Sequence, residues 1–144
     1  MASYANLTDL QSRYPERRLI ELTDNNETPT GAIDQAIIAR EAEDADALID
    51  GYVGRYYKRI DATAPIPALL VPIACAIIYY RLWKNSSPTD QVKADYDDAI
   101  GRLKDIATGK ITLDQGEEKL PERDGQILVE SSERLFTRDA LRGA

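Results

Sequence analysis

The chain has 144 residues, enough for one modest hydrophobic core, and its 25 acidic against 18 basic residues give a net charge of −7. That balance argues against general binding to duplex nucleic acid, whose affinity rests on neutralising phosphates, and favours solubility without specifying a fold. There is no histidine, which removes Ser-His-Asp and Cys-His catalysis and every histidine-based metal site.

The opening MASYANLTDLQSRYPERR has no basic stretch running into an apolar one, so no signal peptide is expected. LTDLQSRYP reads as a short helix with Thr8 as N-cap and Pro15 as its stop. ERRLIELTD, residues 16–24, reads as a second, with Leu19, Ile20 and Leu22 apolar. Both are short and depend on packing. TDNNETPTGAID is turn chemistry. It superficially suggests a calcium loop, but Pro29 stands where the glycine is needed and Gln35 where the bidentate glutamate is needed, so a loop leading into a helix is expected.

Residues 32–57 carry the strongest helical signal, with Ile33, Ile37, Ala45, Leu48, Ile49, Tyr52, Val53 and Tyr56 in one apolar stripe. Glu41, Glu43, Asp44, Asp46 and Asp50 fall off that stripe. A di-metal bundle site would pair such acids with histidine, so a solvated acidic face is expected. Gly51 and Gly54 weaken the helix near its end. The connection RYYKRIDATAPIP follows. Arg55, Tyr56, Tyr57, Lys58 and Arg59 form a small basic-aromatic patch of the kind that stacks on single-stranded nucleic acid, although a structural edge or protein interface is the preferred reading.

ALLVPIACAIIYYRLWK, residues 68–84, is apolar nearly all round and should be the buried central helix, with Pro67 as its first residue and Pro72 in its first turn or at a kink. Its apolar run is too short to cross a bilayer, which takes about 20 residues. Cys75, the single cysteine, should be a buried, inert thiol in a chain that folds in an intracellular compartment. Tyr79, Tyr80, Leu82 and Trp83 are expected against the 32–57 stripe. A last helix should run from about 88 to 107, capped by Ser87, opened by Pro88 and stopped by Gly109, with Val92, Tyr96, Ala99, Ile100, Leu103 and Ile106 inward.

From 110 the pattern fades into an exposed loop, an apolar QILVES read as a short extended piece, and the ending SERLFTRDALRGA. As a helix, that ending would line up Arg134, Arg138 and Arg142 beside Leu135, with Phe136 on a second strip. The fold expected is all-α: a small bundle of four to five helices over residues 1–109, followed by a loop and extended C-terminal arm over 110–144. No nucleophile, base or phosphate-loop motif is present, so a non-enzymatic protein without catalytic residues, cofactor or metal is expected.

The runs ALIDGYVGRYY, AIIYYRLW, GRLKDIATGKITL and RLFTRDALRG resemble a Mu-like prophage family of small virion proteins, and the resemblance covers nearly the whole chain. That family is similar to the helical head–tail connectors, or adaptors, of long-tailed phages. The resemblance implies a head-completion role at the head–tail junction of the virion, after assembly in the host cytoplasm. The implied partners are a portal protein and a downstream connector or tail protein. Copies are implied to form a ring, commonly of twelve, through which DNA passes without specific binding, with no membrane involved. The arm residues Arg134, Leu135, Phe136, Arg138 and Leu141 are the expected docking contacts, the alternative being that the tail folds back and finishes its own core. The alternative is a small nucleic-acid-binding or regulatory protein using Arg55, Tyr57, Lys58 and Arg59.

Overall fold

The computed structural model describes residues 3–54 and 65–113, which hold five α-helices and no strand. The expected all-α class therefore stands. The connection at 55–64 and everything from 114 lie outside the described residues.

Local chemistry fixes each helix start. In α1 (Leu7–Arg13), the Asn6 side chain accepts the Asp9 N–H at 3.0 Å while the Asp9 carboxylate accepts the Asn6 N–H at 2.9 Å. This reciprocal box satisfies two donors at once and displaces Thr8 as the expected cap. After Pro15 comes α2 (Glu16–Thr23). Thr23 is fully buried; its hydroxyl donates to the Leu19 carbonyl at 2.8 Å and accepts the Asp34 N–H at 3.1 Å, tying α2 to the start of the next helix. In α3 (Gln35–Val53), the Asp34 carboxylate accepts the N–H groups of Ala36 and Ile37.

The buried line of α3 is Ile38, Ala42, Ala45, Ile49 and Val53. It keeps Ala45, Ile49 and Val53 of the expected stripe and adds Ile38 and Ala42, while Ile37, Leu48 and Tyr52 are only half-buried beside it and Ile33 precedes the helix. The small side chain of Ala42 makes that part of the inward line less visible in sequence than the larger residues beside it.

The central helix, α4 (Leu70–Leu82), has eight buried residues distributed around its axis, and a 3-10 turn at Trp83–Asn85 extends it. Pro67 is not its first residue. Its carbonyl instead accepts the Leu70 N–H at 2.9 Å in a turn before the helix, and Pro72 occupies the third position, where its missing N–H leaves no gap in the ladder. Helix α5 (Asp90–Ala107) is capped by Thr89, whose hydroxyl accepts the Val92 N–H at 3.3 Å, so Ser87 and Pro88 lie in the preceding link rather than at the cap. Val92, Ala99, Leu103 and Ile106 are buried as expected. Gly109 takes a left-handed φ of 79°; its N–H reaches the Ile106 carbonyl at 3.0 Å and the Lys110 N–H reaches Asp105 at 2.9 Å, which closes the helix by a Schellman motif.

Two side-chain pairings give the directions. Arg81, late in α4, meets Glu41 in the first half of α3, so these helices run antiparallel. Tyr80, late in α4, stacks on Tyr96, early in α5, with ring centroids 4.1 Å apart, so α5 runs back along α4 and ends at the same end of the bundle as α3. The α4 aromatics thus serve partners other than the expected α3 stripe. Tyr79 stacks on Tyr14 at 3.8 Å and meets Trp83 edge-on at 6.2 Å, while Arg18 lies 5.7 Å from the Trp83 ring centre. Trp83 is core, although its buried indole N–H lacks an acceptor among the described residues.

Burial pushes the Tyr14 phenol up from 10.0 to about 12 and the Cys75 thiol from 9.0 to about 11. Both groups favour the neutral form in the folded chain. Their contribution is fully present below the unfolded values and is lost as pH rises through the folded ones. Denaturation midpoints should therefore decline between pH 9 and about 12, and less steeply in Tyr14→Phe, measured by urea titration across that range.

Candidate functional site

Helix α3 has two acidic environments. The first is internal. Glu41 lies between Ile38 and Ala45 on the inward line, its side chain only 3% exposed. Its carboxylate accepts Arg81 Nε at 2.9 Å and Lys84 Nζ at 2.6 Å, with Arg40 3.9 Å away, and Arg81 also pairs with Asp44. A buried carboxylate is tolerable only with such partners, and antiparallel packing delivers them from the last turns of α4. The expectation of a uniformly solvated acidic face is corrected here. Glu41 sits one turn beyond Ile37 and Ile38, which was the available signal, but its cations lie some 40 residues away in sequence.

The second environment faces outward. The N-terminal segment lies along α3 and is stitched to it. Ser3 Oγ and the Tyr4 N–H donate to Asp46 at 3.1 and 3.0 Å, and the Tyr4 hydroxyl donates to Asp50. Tyr4 and Ala5 are buried, a role that an isolated tyrosine near the start of the sequence did not announce. Between this segment and α3 runs a groove of about 550 Å³. Ala5 and Leu7 form one wall, Ile38, Ala39, Ala42 and Ala47 belong to the α3 side, and Glu43, Asp46 and Asp50 supply its charge. Its described lining contains no cationic side chain. An apolar surface bordered by carboxylates at successive helical turns suits an amphipathic basic segment.

The loop before α3 uses its acid internally. Asp24 accepts the Gly31 N–H at 2.8 Å and the Thr30 hydroxyl and Asn26 amide at 3.3 Å, while Gly31 adopts a positive φ of 69°. The Gly31 bond is the main reason the Asp24 carboxyl is held below its ordinary value. Among the described residues there is no group of three or more His, Cys, Asp or Glu side chains placed to hold a metal ion, and no helix is long and apolar enough to cross a membrane.

Residues 4–130 match the family model described as Bacteriophage Mu, Gp36. The chain belongs to that family. It is 32% identical over 140 residues to Gene product J of Escherichia phage Mu, covering 94% of this chain and 95% of that one. It is 31% identical over 144 residues to the Mu-like prophage FluMu protein gp36 of Haemophilus influenzae, covering 99% of each. This Gp36-family member is thus a phage or prophage protein.

The remaining sequence-derived site residues lie outside the described residues. These are Arg55, Tyr57, Lys58 and Arg59 of the basic-aromatic patch, and Arg134, Leu135, Phe136, Arg138 and Leu141 of the arm. The site-bearing part of the described Gp36-family bundle is therefore α3, with its internal clamp and outer groove.

The clamp predicts an asymmetry. Replacing both Arg81 and Lys84 by Met strands the Glu41 carboxylate and should cost about 3 kcal/mol of folding stability; adding Glu41→Met should restore most of it. Equilibrium denaturation of the double and triple variants measures the difference.

Proposed function

We propose that this protein is a non-enzymatic head–tail connector, assembling as a ring at the portal vertex of a phage or prophage particle and receiving the next connector or the tail. The observation that carries the reading is kinship with phage products over nearly the full length of both partners, in a chain whose described part is a helical bundle with an outward acidic groove.

A ring of identical copies is built from head-to-tail contacts, in which each copy offers one surface and accepts a different one. In this reading the arm supplies the offered surface. Leu135 and Phe136 anchor it, and burying each contributes about 1.5–3 kcal/mol. Arg134 and Arg138 orient it, and Leu141 extends the apolar contact. The net charge of −7 suits a channel through which DNA passes, because repulsion keeps the duplex from adhering.

Deleting the coding sequence from an inducible phage or prophage that carries it should leave DNA-filled heads and free tails that fail to join, seen by electron microscopy of the lysate. Normally tailed particles, or a block before head filling, would overturn the connector reading. Removal of residues 126–144 should leave a helical monomer by circular dichroism that no longer assembles on purified portal.

A further inference from the structure

We propose that in the free chain the groove between the N-terminal segment and α3 holds the chain's own C-terminal arm, residues 132–144. This goes beyond the connector reading and stands without it.

Reach comes first. Helix α5 ends at the same end of the bundle as α3, so the chain leaves the described fold near one end of the groove. Residues 114–133 then act as a tether whose root-mean-square span is about 25 Å if flexible, comparable to the roughly 28 Å length of a 19-residue helix such as α3. Every position along the groove is within range. A short tether also presents its end at an effective concentration on the order of millimolar, which favours the chain's own arm over a copy's at low protein concentration.

Chemistry selects the groove among the available clefts. It is apolar, and the charges in its described lining are all carboxylates. The cleft beside Glu41 also carries Arg40, Arg81 and Lys84, the surface depression at Pro15 sets Arg17 and Arg18 about Glu21, and the cleft at Pro72 sets Arg102 against Asp95 and Asp98, so each of these already holds a cation where an arginine-bearing segment would need unshared anions.

Spacing selects the arm. Glu43, Asp46 and Asp50 rise by about 10 Å along α3, while Arg134, Arg138 and Arg142 would rise by about 12 Å in a helix. Three guanidinium groups at successive turns thus match three carboxylate positions, of which Glu43 and Asp50 are exposed. In that helix Leu135 and Leu141 flank the arginine face on either side and are the apolar partners for the alanine-lined surface. With its arm so held, a free copy has nothing to offer a neighbour until a competing surface displaces it.

The test uses the full-length chain with Cys75→Ser, Ala47→Cys on the groove and Leu141→Cys beside the arginine face of the arm; Ala47 is exposed, so the fold tolerates the change. Oxidation at low protein concentration should give an intrachain disulfide whose yield does not depend on dilution. Glu43→Arg, at an exposed position, should lower the initial cross-linking rate about fivefold, and changing to Glu the single arginine that meets position 43, Arg134 or Arg142 according to the arm's direction, should restore it in that background. Circular dichroism checks the fold of each variant. Cross-links formed only between chains, no cross-link, or an intrachain rate unchanged by Glu43→Arg would each overturn the proposal. None of these results bears on whether tails join heads, which the deletion measures separately.

Discussion

A helix that is apolar around its whole circumference must be surrounded, and α4 imposes that condition on everything else in the bundle. Leu70, Ile73, Ala74, Cys75, Ile77, Ile78, Tyr79 and Leu82 are buried around most of its axis, while Pro72, Ala76 and Tyr80 are half-buried. Helices α3 and α5 pack along it, and Tyr14 and Trp83 close over its aromatic end. The antiparallel order that results brings Arg81 and Lys84 to Glu41, and it brings the end of α5 to the end of α3 that carries Asp50. The internal clamp and the position of the outer groove are both consequences of burying this one segment.

Much of this was legible because apolar periodicity and turn chemistry are local. The existence of all five helices, the central place of residues 70–82, the inward line of α5 and the stop at Gly109 follow from side chains three or four positions apart. Helix starts were less legible because caps compete over two or three residues. Asn6 outdoes Thr8 by finding Asp9 in return, and Thr89 outdoes Ser87 because Pro88 does not open the helix. Part of the inward line of α3 was hidden by size: Ala42 is small and buried, whereas Leu48 and Tyr52 look more inward and are only half-buried.

The site was less legible than the fold because its parts meet only in three dimensions. Glu41 and Glu43 are two residues apart and chemically alike, yet one is enclosed with cations from α4 and the other is exposed. No pattern of acids alone separates them; the identity of the opposing helix does. The outer groove depends likewise on Tyr4, which is held against Asp46 and Asp50 across more than 40 positions. A groove walled by Ala5, Asn6 and Leu7 is coupled to the stability of the turn they form, so the capping box at Asn6 shapes the very surface that Asn6 lines.

The stop after α5 has a mechanical meaning as well as a conformational one. The Asp105 carbonyl accepts the N–H groups of both Lys110 and Ile111, at 2.9 and 3.2 Å, while Ile111 and Leu113 are seated against the core. Tension applied to the chain beyond Leu113 would therefore bear first on two hydrogen bonds sharing one acceptor and on two apolar plugs, before it reached the helix itself.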